Sequence, residues 1–280
     1  DKIKLRKTAG PDDIAPELIK WGGPTLIDKI GELLQRVWKE ETIPKEWECN
    51  IIMPLHKKGE TTNCENYRAI CLSSVVLKIY TRILERKLRH EVESELDEKQ
   101  GAFRPHRQTQ DLIYTIRTIG EKFLDKNKSI YMAFLDLKSA FDTASRKEIW
   151  KTLKKMGVTN KLIRAIKSIY HSTRGMVRID GLVSEEFEME NGVKQGDSLS
   201  PLLFIILLDE IIKICKRRTS KMKVGNWNMR PIYCQALVYA DDILLIAESE
   251  HKLQQAVTEW TEILSNKGLI VNTNKSKIMQ

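Results

Sequence analysis

Apolar residues recur at helical spacing in three long stretches of the first half of the chain. In GPTLIDKIGELLQRVWKE, residues 23–40, Leu26, Ile30, Leu33, Leu34 and Val37 share one face, which predicts an amphipathic helix. SSVVLKIYTRILERKLRH, 73–90, repeats the pattern with a basic outer side, and RQTQDLIYTIRTIGEKFLDKN, 107–127, predicts a third helix. Between the first two, NIIMPLHKKGE reads as a short strand running into a basic turn.

The second half mixes the two periods. IYMAFLDL, 130–137, is a β-prone apolar run that ends near an aspartate. SRKEIWKTLKKMG follows as a helix, with Ser145 and Glu148 at capping-box spacing and Gly157 as its stop. NKLIRAIKSIY is helical, and RGMVRID, Gly181 and SEEFEME form a hairpin pattern with an Asp-Gly turn. Ser200 and Pro201 open PLLFIILLDEIIKIC, a buried helix that carries Asp209 and Glu210 and is too short to span a bilayer. QALVY and ILLIA are apolar arms around Ala240, Asp241 and Asp242, which predicts a tight hairpin with carboxylates at its tip. An amphipathic helix, SEHKLQQAVTEWTEILSNKG, and one or two short strands in GLIVNTNKSKIM complete the chain. Helices alternating irregularly with hairpins predict an α+β fold.

Composition narrows the class. With 280 residues, 41% of them hydrophobic, the chain suits one large or two smaller globular domains. A formal net charge of +9 is a footprint for a polyanion such as nucleic acid. Basic residues also cluster in KRRTSKMK, 216–223, a run that reads equally as a solvated loop. Cys49, Cys64, Cys71, Cys215 and Cys234 form no C-x-x-C pair and are odd in number, which argues against a disulfide framework and for a reducing compartment. The gaps among Cys49, His56, Cys64 and Cys71 are too wide for the usual zinc pairs. DKIKLRKTAG has no signal-peptide core, so an intracellular setting, nucleus or cytoplasm, is expected, with no membrane partner.

Two carboxylates in the middle of the apolar run LVYADDILLIA are expensive to bury unless paired or holding a metal. Asp136 ends one apolar strand and Asp241 tips another. If the strands are neighbours in one sheet, the carboxylates converge at its edge, where oxygen ligands suit Mg²⁺. Two such ions clamp the attacking and leaving oxygens of a phosphoryl transfer. Taken singly, either aspartate reads as readily as a turn residue.

YADD at 239–242, FLDLKSAFD at 134–142 and NGVKQGDSLSPLLF at 191–204 together resemble the catalytic motifs of reverse transcriptases from non-LTR retrotransposons. The resemblance is to LINE-type, RTE-like elements whose polyprotein joins an endonuclease to the polymerase. GPDDIAPELIK at 10–20, IIMPLHKKGE with NYRAICLSS at 51–74, and QGAFRPHRQTQDL at 100–112 resemble fingers motifs, and GLIVNTNKSK at 268–277 a later palm motif. Seven motifs in order cover nearly the whole chain. The resemblance implies a right-hand polymerase fold with an antiparallel palm sheet flanked by helices. Residues 1–128 would be fingers, 129–144 the first palm motif, 145–190 connecting helices and a hairpin, and 191–280 palm.

The same resemblance implies roles. Asp136, Asp241 and the Leu137 backbone carbonyl would hold two Mg²⁺ ions, with Mn²⁺ a possible substitute, and Asp242 would support the site. Asp142 is as readily a structural hydrogen-bonding residue. Phe141, beside Ala140, takes the place of the aromatic that excludes a 2′-OH, the group distinguishing ribose from deoxyribose. Gln195 and Gly196 would lie against the incoming nucleotide, Gly because it lets backbone approach closely. Arg68 would stack on the base and touch its phosphates. Lys57 or Lys58 would neutralise the triphosphate, and Lys275 would sit near the leaving pyrophosphate. Arg82, Arg86, Arg104 and Arg107 would line a backbone channel, with salt-dependent affinity. The implied partners are an RNA template, a DNA primer and dNTPs.

Asp13, Ala69 and Ala144 depart from the commonest family residues, which points to reduced activity as in a decayed copy. The pattern also leads one to expect a thumb after residue 280 and an endonuclease domain upstream, both absent from this chain. Two other readings stay open: a nucleic-acid-binding module without catalysis, domesticated or decayed, and an intron-type or RNA-dependent RNA polymerase relative.

Overall fold

The computed structural model describes residues 3–219, 222–224 and 232–280. In chain order its elements are α1 (Pro16–Trp21), α2 (Gly23–Glu40), β1 (Cys49–His56), β2 (Tyr67–Leu72), α3 (Val75–Val92), α4 (Thr109–Leu124), β3 (Tyr131–Leu135), α5 (Ala140–Thr143), α6 (Arg146–Lys155) and α7 (Asn160–His171). There follow β4 (Arg174–Ile179), β5 (Leu182–Val183), β6 (Phe187–Glu188), α8 (Ser200–Arg218), β7 (Met222–Val224), β8 (Ile232–Cys234), β9 (Ala236–Tyr239), β10 (Asp242–Ala247), α9 (Glu250–Asn266) and β11 (Lys277–Met279). Ser220 and Lys221, within the basic run KRRTSKMK, lie outside the described residues.

The chain divides into two compact units: Asp1–Glu93 with Leu153–Leu202, and Ser94–Thr152 with Leu203–Gln280. These boundaries differ from the 128/129, 144/145 and 190/191 divisions read along the motifs, because units follow mutual burial and not motif order. Thus α4, in the stretch read as fingers, lays Ile119 and Phe123 against Met132, Leu237, Leu244 and Ile246 of the second unit.

The first unit holds the sheet β2-β1-β4-β5, with β6 paired to β4. The strand β2 was not anticipated. NYRAICL shows no clear alternation, and antiparallel pairing with β1, from Ile51↔Leu72 to His56↔Tyr67, makes it a strand. β1 also pairs in parallel with β4, through Cys49↔Arg174 to Ile52↔Val177. α3 buries Leu77, Tyr80, Leu84, Leu88 and Val92, and its cap Ser74 Oγ accepts the Leu77 N–H at 3.2 Å. α7 buries Leu162, Ile163, Ile166 and Ile169.

The second unit is built on the fully antiparallel sheet β11-β3-β10-β9. From Leu203 through Leu208, α8 is completely buried, which suits a helix apolar all round. α9 is capped by Ser249 Oγ and buries Leu253, Trp260, Ile263 and Leu264. Ser145 Oγ accepts the Glu148 N–H at 3.3 Å as the capping pattern predicts, while the Glu148 carboxylate bonds Lys151 and Lys267, each at 2.6 Å. All five cysteines are free thiols. Among the described residues no helix is long and apolar enough to cross a membrane.

Candidate active site

The second unit carries the acidic site. β3 and β10 pair from Ala247↔Tyr131 to Ile243↔Leu135. One further step of that register sets Asp242 opposite Asp136, and another sets Asp241 opposite Leu137. Strands far apart in sequence thus bring their carboxylates to one end of adjacent strands. The Tyr239↔Asp242 pair closes the β9–β10 hairpin, leaving Ala240 and Asp241 as its two loop residues. Ala240 has φ +53°, the left-handed region that a residue with a Cβ seldom adopts. The arms Val238, Ile243, Leu244 and Leu245 are buried, so the tip stands on packed strands.

Charge at this tip is uncompensated. Among the described residues no salt bridge joins Asp136, Asp241 or Asp242 to a cation. The Asp242 carboxyl is held above its ordinary value, first by partial burial, then by the negative charges of Asp241 and Asp136. By surface area Asp242 is open to solvent, so the desolvation comes from protein crowding one side of it. Carboxylates gathered at one end of adjacent strands without a cationic partner suit a hard divalent cation. Among the described residues no three His, Cys, Asp or Glu side chains enclose an ion by themselves.

The backbone at Leu137 continues this end of the strand, bridged to Val271. Asn272 N–H donates to the Asp136 carbonyl at 2.7 Å, and Lys138 N–H donates to the Ile270 carbonyl at 2.8 Å. Alternate residues of an extended strand point their peptide groups to opposite edges, so the Leu137 carbonyl is directed to the side where β10 runs. Ser276 Oγ accepts the Asp136 N–H at 3.3 Å and donates to the Asn272 carbonyl at 2.8 Å. Both backbone polar groups of Asp136 are thereby latched to the 272–276 turn, which also carries the exposed Lys275.

Phe141 follows the buried Ala140 in α5. Its ring stacks on Phe204 of α8, with centroids 4.9 Å apart and planes at 22°. Phe204 is fully buried, so it is a fixed floor for the half-buried Phe141. Asp142 is exposed, and its backbone N–H bonds the Ser139 carbonyl at 2.8 Å.

The first unit carries the other group. Lys57 and Lys58 are exposed beyond the end of β1, and Arg68 is exposed in β2 opposite Leu55. The Gln195 carbonyl accepts the Cys71 N–H at 2.7 Å, which seats the 194–197 turn on β2. Gly196 has φ +119°, and a Cβ there would meet the Cys71 carbonyl oxygen at 2.9 Å. Only glycine fits that approach. Asp197 is buried; its Oδ1 accepts from the Thr81 hydroxyl of α3 and from the Ser198 N–H, and burial pushes its carboxyl up.

Of the four arginines expected in a backbone channel, Arg82 and Arg86 lie exposed on α3. Arg104 and Arg107 lie in the second unit and are engaged within the chain. Arg104 Nη1 bonds the Asp97 carbonyl at 2.8 Å, and Arg107 pairs with Glu98. Sequence reasoning missed Phe204, Ser276 and Asn272, each of which acts through a contact that no local pattern announces. It also treated QGAFR only as a fingers motif, whereas this stretch packs in the second unit.

Residues 55–280 fit the family described as reverse transcriptase (RNA-dependent DNA polymerase). The chain is 27% identical over 98% of its length to the retrovirus-related Pol polyprotein from type-2 retrotransposable element R2DM of Drosophila melanogaster, covering 25% of that protein. It is 25% identical over 99% of its length to a putative 115 kDa protein in type-1 retrotransposable element R1DM of the same organism, covering 26% of it. The chain thus spans about a quarter of these curated relatives. Among solved structures, apo telomerase of Candida tropicalis truncated from its C-terminal domain superposes with a TM-score of 0.59 at 16% identity, over 91% of this chain and 55% of that one. Telomerase of Candida albicans does so at 0.54 and 14%, over 90% of this chain and 46% of that one. At such identities the likeness carries the fold alone, the fingers–palm fold of reverse transcriptases.

Proposed function

The chain belongs to the reverse transcriptase (RNA-dependent DNA polymerase) family, and on that premise we propose that it is the fingers–palm part of the RNA-directed DNA polymerase of a non-LTR retrotransposon. In this reading a primer 3′-OH attacks the α-phosphate of a dNTP on an RNA template and pyrophosphate leaves. The observation that carries the reading is the acidic end of β3 and β10, where burial and then the charges of Asp241 and Asp136 hold the Asp242 carboxyl above its ordinary value, with no salt bridge to a cation among the described residues.

Asp136, Asp241 and the Leu137 carbonyl would hold Mg²⁺. Bound there, two such ions would neutralise charge on the attacking and leaving oxygens. The chain's own contribution is positioning. The 272–276 turn holds the Asp136 backbone, the apolar arms of the hairpin hold Asp241, and Phe204 backs Phe141, whose ring would exclude a ribose 2′-OH. Gln195 and Gly196 would meet the nucleotide, and Lys57, Lys58 and Arg68 its phosphates. Lys275 would face the leaving pyrophosphate. Arg82 and Arg86 would bind the nucleic-acid backbone; Arg104 and Arg107 would do so only by giving up their contacts within the chain.

Primer extension on poly(rA)/oligo(dT) with Mg²⁺, beside a binding measurement, tests the proposal. Asp136→Asn and Asp241→Asn should each abolish extension and keep most nucleic-acid affinity. Tight binding without extension by the unaltered protein would favour the non-catalytic binding module instead.

A further inference from the structure

The strap DEKQGAFR, residues 97–104, runs beside β9 in the second unit. Val238 N–H donates to the Lys99 carbonyl at 3.2 Å and Gly101 N–H donates to the Val238 carbonyl at 3.0 Å, so Gln100 and Val238 form a parallel bridge. The Gln100 side chain is fully buried. Its Oε1 accepts the Ala102 N–H at 2.9 Å and, across the strap, the Ala240 N–H at 3.3 Å.

Two facts make this contact more than core packing. Ala240 sits at φ +53°, and a residue with a Cβ stays there only when its surroundings hold it. Second, Gln100 Nε2 is buried with no hydrogen-bond partner. A leucine or methionine would fill the same space without burying an unmatched donor, so it is the acceptor end of the amide that the site uses. The residue after Ala240 is Asp241.

The strap is itself pinned. Asp97 N–H donates to Oδ1 of Asp209 at 2.5 Å, and Asp209 is buried in α8. Lys216 of α8 pairs with the Asp97 carboxylate. Arg104 Nη1 bonds the Asp97 carbonyl at 2.8 Å and closes the strap on itself.

We propose that Gln100 is a positioning residue that holds Ala240 in its left-handed conformation and so aims the Asp241 carboxylate. It acts through the hairpin backbone and not on the substrate. The inference rests on the polymerase reading of Asp241.

Gln100→Met keeps the volume and removes the acceptor. In primer extension kcat should fall roughly ten- to a hundredfold, the range a misaimed group produces, with KM for dNTP within about twofold and the melting temperature nearly kept. Adding Ala240→Gly should restore most of kcat, because glycine adopts positive φ unaided. Hydrogen exchange at the Ala240 amide is read independently of any activity: protected in the unaltered protein, faster in Gln100→Met. A freely exchanging Ala240 amide in the unaltered protein would overturn the proposal. So would a folded Gln100→Met that keeps its kcat, or whose loss Ala240→Gly leaves untouched. If Gln100→Met does not fold, Gln100→Asn, too short to reach Ala240, is put through the same measurements. An unaltered protein that protects Ala240 but extends no primer would defeat the proposed function and leave the strap's hold on the hairpin standing.

Discussion

Gly196→Ala should damage nucleotide use more than folding. The backbone at φ +119° belongs to glycine, and holding an alanine in such a conformation costs about 1–3 kcal/mol. The new Cβ would lie 2.9 Å from the Cys71 carbonyl oxygen, where ordinary contact begins at 3.4 Å. Forcing an extra carbon into a filled space adds about 1–3 kcal/mol, so an unmoved turn would lose about 2–6 kcal/mol in all. Cys71 cannot retreat, because it is paired with Ile52 inside the sheet. The middle of the turn can: Gly196 is exposed and Gln195 half-buried, between the buried Lys194 and Asp197. Moving it stretches the 2.7 Å bond from Cys71 N–H to the Gln195 carbonyl, worth about 1 kcal/mol net, and relieves the rest. The cheaper route wins. The melting temperature should then drop by only about 2–4 °C. Gln195 leaves its place, and KM for dNTP should rise at least roughly tenfold in steady-state primer extension. A Gly196→Ala protein with unchanged kcat/KM and melting temperature would refute the reasoning, and so would a collapse of the fold at unchanged KM.

Other perturbations follow from the second unit. Phe204→Leu removes the ring under Phe141, a stack worth about 0.5–1.5 kcal/mol; ribonucleotide incorporation should rise, by less than in Phe141→Val, and equal discrimination in all three proteins would remove Phe204 from the sugar site. Ser276→Ala leaves the Asp136 N–H without its hydroxyl partner and should lower kcat about fivefold, in line with a bond of about 1 kcal/mol; kcat at the unaltered level would show the latch to be idle. The folded pKa of Asp242 lies above its unfolded value, so the native state binds the extra proton between the two and stability falls as pH rises through that window. Asp242→Asn should therefore raise the melting temperature at pH 7 and lose that advantage below the ordinary carboxylate range; an advantage independent of pH would mean that like-charge repulsion is not its source.

Much of this molecule is legible from local sequence. The apolar face of 23–40 predicts α2 to the residue, the amphipathic spacing of 249–268 predicts α9, and the apolar arms around Ala240–Asp241–Asp242 predict the β9–β10 hairpin. Such features follow from interactions within a few residues, which periodicity and capping chemistry record directly. Asp136 and Asp241 could be singled out because charge inside an apolar run is costly wherever the chain goes. Other features depend on which surfaces bury each other at long range. The strand β2 exists because β1 offers it a hydrogen-bonding edge, and β1 lies parallel to β4 only because the fold brings them side by side. The register that sets Asp136 against the hairpin, the Phe204 ring under Phe141 and the Ser276 latch are of the same kind. So is the left-handed Ala240: nothing in YADD asks for positive φ, and the buried Gln100 amide that accepts its N–H comes from a stretch 140 residues away. Composition and periodicity chose the elements and their chemistry, because those preferences are carried by each residue and its near neighbours. Tertiary structure alone decided their aim, because hydrogen-bond register and close packing are properties of pairs that meet only in the fold.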